Sequence, residues 1–265
     1  MKQKIVSYLP EKHPWRERIA VYDTLPSTNT SAKELARQGM PEGTTLIARS
    51  QSAGRGRLGR SFYSPEDGGL YLSLVLRPHC LPGELMHLTC AAAVAACEAV
   101  EVVTGFRPGI KWINDLTWNG KKLGGILTEL IMSPEGEVSA AIVGIGINCH
   151  LPPEFTPPEL RELACSLSEI TGKAPDRARL AAELILALER LSRTLLTDRG
   201  SLMEQYRRNC VTLGKAVRVI SPALTRHGTA LSVEPDGSLT VRFSDGHIEQ
   251  VSSGEVSVRG LWDYV

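Results

Sequence analysis

The sequence of 265 residues predicts an α+β fold, with a large domain of strands and helices followed by a small SH3-like antiparallel barrel. A long apolar segment that begins at Pro82 predicts a core helix among short strand-like runs. From about Leu213 the pattern changes to short strands separated by turns. We therefore divide the chain into an N-terminal lead-in over 1–20, a large domain over 21–212 that would hold a catalytic site, and a barrel domain over 213–265.

The first half of the large domain is predicted to contain three strands and two helices. The strands are predicted over Ile19–Tyr22, Thr44–Ala48 and Leu70–Leu76, the last with the alternation of a half-buried strand. A helix over about Ser31–Gln38 follows residues that favour helix N-termini and ends before Gly39 and Pro41. The core helix runs from Pro82 to about Val103.

The second half is predicted to contain a hairpin, a buried strand, a helix and the barrel strands. The pair Asn119-Gly120 favours a tight turn between two hairpin strands. A helix capped by Asp176 runs to about Thr197 with a regular apolar period. The predicted strands are Lys111–Trp118, Gly124–Ile131, Ala140–Ile147, Ala216–Ile220, Thr229–Val233, Leu239–Phe243 and Ile248–Val251.

Composition argues against several classes of function. The net charge of +1 disfavours bulk binding to nucleic acid or to anionic membranes. The six cysteines form no C-x-x-C pair and are predicted to be buried thiols in a reducing cytoplasm. Cys149 and His150 are neighbours on a strand and point to opposite faces, so they do not form a catalytic pair. The apolar stretch Leu85–Ala96 is too short to span a bilayer, and no signal peptide is recognisable.

The run from Gly54 to Arg60 interleaves glycines with arginines and predicts a loop that closes over an anion. It formally satisfies G-x-G-x-x-G at Gly54, Gly56 and Gly59. A dinucleotide site requires a helix after the glycines, whereas a strand follows here, so that interpretation is rejected. Neither a Walker A sequence nor the protein-kinase motifs are present.

Two further segments combine charge, glycine and apolar residues, namely 111–116 and 122–129. Each has the polar and apolar mixture of a pocket wall, although either alone also fits a surface hairpin with solvated lysines. The segment 144–148 adds a strand with two glycines, at which a ligand or another backbone can approach closely.

Five motifs in this order resemble those of the biotin protein ligases, also called biotin–[acetyl-CoA-carboxylase] ligases. They are Ser27-Thr28-Asn29, Gln51 to Arg57, Lys111 to Asp115, Lys122 to Leu127 and Gly144 to Asn148. The resemblance covers nearly the whole chain. It implies a mixed central sheet packed with helices, similar to class II synthetases, and a C-terminal SH3-like barrel.

The resemblance also implies a reaction and its partners. Biotin and ATP form biotinyl-5′-AMP and pyrophosphate, and the biotinyl group then passes to one lysine of a biotin carboxyl carrier protein. The nucleotide chemistry implies Mg²⁺, although the sequence contains no dedicated set of metal ligands. A homodimer formed through the edges of the central sheets and a cytoplasmic location are expected, without membrane association.

Residue roles are carried over from the resemblance by position. The biotin pocket would be lined by Ser27, Thr28, Asn29, Gln51 and Gly125, and closed by Arg55, Gly56 and Arg57. ATP and the adenylate would contact Arg55, Arg57, Phe62, Lys111, Asn114, Lys122 and Asn148. Lys122 would bridge the biotin carboxylate and the α-phosphate, and it forms the catalytic set together with Arg55, Lys111 and Asp115.

The sequence departs from the family pattern at two motif positions. Ile113 stands where proline is common, and Phe62 stands where the covering aromatic is often tryptophan. Bifunctional members carry a winged-helix domain before the ligase core. About twenty polar residues precede the core here, so no direct DNA binding is expected.

Two alternative functions were weighed against biotin ligation. Lipoate ligases tend to carry an R-R-x-x-G-G-G loop, and octanoyl transferases a Cys–Lys arrangement, and neither is present. A nucleic-acid-binding module would use the arginine loop and the barrel. Overall neutrality and the lack of interleaved basic and aromatic residues on the barrel strands argue against it.

Overall fold

A computed structural model describes residues 1–152, 154, 156–221, 224–252 and 257–260. The remaining parts of the predicted barrel domain, 222–223, 253–256 and 261–265, lie outside the described residues.

The large domain is built on a mixed sheet of seven strands in the order β1-β2-β3-β7-β6-β5-β4. Their bounds are β1 Ile19–Leu25, β2 Thr45–Gln51, β3 Gly69–Leu76, β4 Gly109–Lys111, β5 Asp115–Trp118, β6 Lys121–Met132 and β7 Val138–Asn148. Only β1 and β2 pair in parallel, and the other neighbours are antiparallel. The predicted fold class, a mixed sheet with helices and a small C-terminal antiparallel sheet, is confirmed.

Seven helices accompany this sheet in the described part of the chain. They are α1 Lys2–Tyr8, α2 Thr28–Arg37, α3 Leu88–Thr104, α4 Pro158–Arg161, α5 Leu167–Thr171, α6 Arg177–Thr194 and α7 Arg199–Asn209. The main core lies where α3 packs against α6 and the sheet. The alanine-rich face of α3 allows α6 and the sheet to approach the helix closely. Burial of this face is the main source of helix stability.

Several helix predictions need correction. The lead-in over 1–20 contains α1, whose Ile5 is fully buried and which packs against α6. Helix α2 begins at Thr28, three residues earlier than predicted, with Ser27 as its N-cap. The helices α4, α5 and α7 were not predicted. The predicted cap Asp176 accepts hydrogen bonds from the backbone of Ala178 and Arg179 at the start of α6.

The core helix also differs from its prediction. A short 3₁₀ turn over Pro82–Leu85 precedes α3, and the combined segment Pro82–Thr104 is 23 residues long. By length and composition it could cross a membrane, so the prediction that it is too short was wrong. However, 67% of its most apolar window is buried inside the protein, which is typical of a core helix.

Two of the strand predictions were wrong in detail. The strand β3 is buried along its whole length, because β2 and β7 flank it and helices cover the sheet, so it is not half-buried. The predicted strand Lys111–Trp118 is interrupted at residues 112–114 and forms β4 and β5. The turn after β5 is confirmed, since Asn119 and Gly120 both have positive φ values, 45° and 77°.

The C-terminal domain is a five-stranded antiparallel sheet in the order β11-β10-β9-β8-β12. Its strands are β8 Ala216–Ile220, β9 Thr225–Val233, β10 Leu239–Phe243, β11 Ile248–Val251 and β12 Ser257–Gly260. The four predicted strands are present, although β9 starts four residues earlier than expected. The fifth strand, β12, was not predicted.

Candidate functional site

One cavity collects nearly every residue that the sequence assigned to the site. It lies between the loop after β2, the start of α2, the β4–β6 strands and β7. The predicted residues on its wall are Ser27, Thr28, Asn29, Gln51, Arg55, Gly56, Arg57, Phe62, Lys111, Asn114, Asp115, Lys122 and Gly125. Lys111 is 6% exposed, which excludes a solvated surface lysine at that position.

The arginine loop connects β2 to β3, as predicted, and folds back on itself. The Gly56 N–H donates to the Arg60 carbonyl at 2.7 Å, and the Phe62 N–H donates to the Gly54 carbonyl at 2.8 Å. Glycine is required at position 54, because a Cβ there would lie 2.3 Å from the Phe62 carbonyl oxygen. The loop is therefore a closed turn at the mouth of the cavity, and we call residues 54–62 the lid loop.

Two arginines of the lid loop reach the opposite wall. The Arg55 Nη1 atom lies 3.2 Å from a carboxylate oxygen of Glu129 on β6. The Arg57 Nη1 atom donates to Asn114 Oδ1 at 3.0 Å. Burial lowers the pKa of Arg57, while the nearby Asp115 charge opposes that effect. Both side chains thus tie the lid loop to the strands beneath it.

An ion pair lies on the floor of the cavity. Lys122 Nζ is 2.6 Å from Asp115 Oδ1, and the Asn114 amide donates to the same oxygen at 3.1 Å. A Cβ at Gly125 would lie 3.3 Å from both charged atoms, so glycine leaves room for the pair. Phe62 covers this floor, with its ring centroid 6.0 Å from Lys122 Nζ.

The other end of the cavity is polar and uncharged at the start of α2. The Thr28 N–H donates to Gln51 Oε1 at 2.8 Å, and Gln51 in turn donates to Ser64 Oγ at 2.8 Å. The Asn29 amide donates to the Leu127 carbonyl at 3.1 Å. These bonds fix the donors and acceptors that face a ligand.

The sequence analysis missed several residues that support the site. Ser73, on β3, hydrogen-bonds Thr28 at 2.8 Å and Asn29 at 2.7 Å. Glu129 accepts hydrogen bonds from Asn29 and Lys33, both at 3.1 Å. Although burial alone would raise the pKa of Glu129, these hydrogen bonds and the nearby positive charges lower it. The only sequence signal was that Glu129 ends the segment 122–129, which combines charge, glycine and apolar residues.

Asn148 is the one predicted site residue that is absent from the cavity wall. Its amide donates to the Cys165 carbonyl at 3.1 Å and to the Lys122 carbonyl at 3.4 Å. It therefore supports the backbone of Lys122 from behind. The neighbouring Cys149 and His150 have separate partners, as predicted, and burial raises the pKa of Cys149 to about 12.

The charge on the cavity wall defines the chemistry that it favours. Arg55, Arg57, Arg60, Lys111 and Lys122 line it, and Asp115 is the acidic residue among the described lining residues. Such a wall favours an anionic ligand that also carries a neutral polar group at the α2 end. No group of three or more His, Cys, Asp or Glu residues in the described chain is placed to hold a metal ion.

Comparison with known proteins agrees with this geometry. Residues 21–148 match the profile of the Biotin/lipoate A/B protein ligase family, and residues 212–259 match the biotin protein ligase C terminal domain. The chain is 36% identical to the bifunctional ligase/repressor BirA of Bacillus subtilis over 91% of this chain and 74% of BirA. It is 32% identical to the biotin–[acetyl-CoA-carboxylase] ligase of Mycobacterium tuberculosis, over 91% and 89% of the two chains.

A solved structure gives the same result for the fold. The biotin protein ligase of Aquifex aeolicus, in complex with biotin and ATP, superposes with a TM-score of 0.77 at 29% identity. The match covers 91% of this chain and 98% of that one.

Proposed function

Because this chain belongs to the biotin protein ligase family, we propose that it attaches biotin to a lysine of a biotin carboxyl carrier protein. It is an ATP-dependent biotin–[acetyl-CoA-carboxylase] ligase that activates biotin as biotinyl-5′-AMP. The observation that carries the assignment is the single cavity that joins the lid loop, the Lys122–Asp115 pair and the polar start of α2.

Biotin is proposed to lie with its ureido ring at the α2 end. Ser27, Thr28, Asn29 and Gln51 provide neutral donors and acceptors there. Gly144 of β7 allows Asn29 to pack directly against this strand, because a Cβ at position 144 would collide with Asn29. A neutral polar ring therefore finds hydrogen bonds, and the carboxylate of the valeryl chain extends toward the charged floor.

In the first half-reaction a carboxylate oxygen of biotin attacks the α-phosphorus of ATP, and the bond to pyrophosphate breaks. Both reactants are anions and repel each other. Lys122 and Arg57 are proposed to place positive charge between them, and Arg55 and Lys111 to add to it. This charge is fixed before the reaction because Asp115 and Asn114 already hold Lys122 and Arg57 in place.

In the second half-reaction the amine of the acceptor lysine attacks the acyl carbon, and AMP leaves. The adenylate is already activated, so no nucleophile from the enzyme is needed. Asp115 is the acidic side chain among the described lining residues, and we propose that it orients the incoming amine and accepts its proton.

Mg²⁺ is proposed to enter with ATP. This ion keeps several waters and binds mainly through phosphate oxygens, so one or two protein ligands suffice. Asp115 and Asn114 have the oxygen chemistry required and would hold it on the cavity wall. The ion would neutralise phosphate charge.

The remaining partner assignments are also proposals. The family resemblance supports a homodimer formed through the central sheet, and the predicted absence of DNA binding stays a prediction. A cytoplasmic location is supported by the six cysteines, all of which are buried free thiols.

A substrate screen tests the assignment. Purified protein is incubated with ATP, Mg²⁺ and either biotin, lipoate or octanoate, and pyrophosphate release is measured. Of the three acids, only biotin is expected to support pyrophosphate release. Addition of a carrier protein with its acceptor lysine is then expected to yield biotinylated carrier. Activation of lipoate or octanoate without biotin would overturn the proposal.

A further inference from the structure

The cavity floor depends on a short segment that the sheet holds at one end, where the Ile126 N–H of β6 donates to the Asn114 carbonyl at 2.8 Å. Residues 112–114 lie between β4 and β5, and the described sheet registers pair residues on either side of them. Lys111 precedes this segment and Asp115 follows it, and these two residues pair with each other across β4 and β5. The path of the segment therefore sets the position of Trp112 and Asn114, which line the cavity. We call residues 112–114 the floor segment.

Groups from outside the sheet bond the backbone of Trp112 and Ile113 in the floor segment. The Trp112 N–H donates to the Thr212 hydroxyl at 2.9 Å, and the Tyr206 hydroxyl donates to the Ile113 carbonyl at 3.2 Å. The Trp112 indole N–H also donates to the Gly237 carbonyl of the β9–β10 turn at 2.9 Å. All three bonds are buried, so no solvent replaces a lost partner.

Tyr206 and Thr212 act on the floor segment from a distance in the sequence. Tyr206 lies on α7 and is fully buried, and Thr212 follows α7 and is 4% exposed. Neither residue is among the described residues that line the cavity. Their hydroxyls therefore act on the site through the segment behind the cavity wall.

We propose that Tyr206 and Thr212 are positioning residues for adenylate formation. They fix the backbone of Trp112 and Ile113, and through it the position of Asn114 relative to the reacting phosphate. The inference rests on the proposed function, because it names residues that serve that same site. The residues that bind the ureido ring at the α2 end lie outside the floor segment, so we expect the biotin affinity to change little.

The size of the effect follows from the geometry required for reaction. Loss of either hydroxyl leaves a buried backbone group without this partner, and the segment shifts to recover a bond. A displacement near 1 Å costs up to about 100-fold in rate. We expect Tyr206→Phe and Thr212→Val each to slow adenylate formation about tenfold, with the biotin Kd changed by less than about twofold.

The test consists of two measurements. The rate of adenylate formation is measured as single-turnover pyrophosphate release at saturating ATP and biotin. The biotin Kd is measured by titration without ATP. Thr212→Ser keeps the hydroxyl that Thr212→Val removes, so its rate of adenylate formation is expected to equal that of the wild type. Thr44→Val is the matched control, because the buried Thr44 hydroxyl donates to the Pro41 carbonyl at 2.7 Å at the end of β2 remote from Gln51. It is expected to lose stability and to keep the wild-type rate.

Three results would overturn the inference. The first is a wild-type rate in both Tyr206→Phe and Thr212→Val, each confirmed as folded by circular dichroism. The second is a loss of biotin affinity in parallel with the rate. The third is an equal loss of rate in Thr44→Val. If the wild-type protein itself releases no pyrophosphate with biotin, the proposed function fails instead, so the two failures are distinguishable.

Discussion

Replacing Gly144 with alanine is expected to weaken biotin binding by displacing a side chain of the pocket. A Cβ at position 144 would lie 2.0 Å from Oδ1 and 2.7 Å from Cγ of Asn29. The backbone of Gly144 cannot retreat easily, because β3 pairs with it through Ser73 and β6 through Leu127. The Asn29 amide must therefore move.

The cost can be worked from the bonds that Asn29 makes. Its oxygen accepts from Ser73 at 2.7 Å, and its nitrogen donates to the Leu127 carbonyl and to Glu129, both at 3.1 Å. A neutral bond contributes about 1 kcal/mol and a bond to a carboxylate somewhat more, so the unfolding free energy is expected to fall by about 3 kcal/mol. Loss of the Asn29 contact with biotin adds about 1.4 kcal/mol to the binding free energy, a tenfold rise in Kd.

The assay is a calorimetric titration of biotin without ATP, combined with denaturant unfolding. Gly83→Ala is the control, because a Cβ at Gly83 meets no atom within 4 Å. It is expected to bind biotin as the wild type does. A Gly144→Ala variant with wild-type affinity would refute the assignment of Asn29 to the biotin pocket.

Three further predictions concern the charged residues. Lys122→Ala should depress adenylate formation far more than biotin binding, as separate rate and titration measurements would show; equal losses would indicate general damage to the pocket. Arg57→Ala removes the bond from the lid loop to Asn114 and should speed release of bound biotinyl-AMP, measured by filtration after dilution, and an unchanged off-rate would contradict that role. Because the folded-state pKa of Glu129 is lowered, its stabilising contribution is present above the ordinary glutamate pKa near 4.5 and is lost as the pH falls through the folded value. The difference in unfolding free energy between the wild type and Glu129→Gln should therefore shrink in acid. Denaturant unfolding at neutral and at acidic pH measures this difference. A difference that is the same at both pH values would count against the ionic contacts of Glu129 with Lys33 and Arg55.

Local sequence signals were sufficient where burial is continuous or a turn has strict requirements. Three of the barrel strands, β8, β10 and β11, match their predicted bounds, because each is short and bounded by turn residues. The hairpin turn at Asn119-Gly120 was predictable because few residues adopt two consecutive positive φ angles.

The same signals failed where a polar segment depends on a remote partner. Helix α1 is largely exposed, and its position is set by Ile5 packing against α6 from the other end of the domain. Helix α7 is also strongly polar, with Met203 and Tyr206 as its buried residues. One or two apolar residues are too few to show a helical period, so the sequence does not distinguish such helices from loops.

The candidate site divides in the same way. The ligand-facing residues cluster in short motifs, because each motif is a loop or strand end that reaches the cavity, and the resemblance could assign them by position. The residues that hold those motifs in place are far away in sequence, since Tyr206 is 93 residues from Ile113 and Thr212 is 100 residues from Trp112. A tyrosine or threonine hydroxyl carries no local pattern that marks its partner. Only the folded structure brings the ligand-facing residues and these remote residues together. The rate of adenylate formation in Tyr206→Phe and Thr212→Val measures how strongly the remote hydroxyls control the position of the ligand-facing residues.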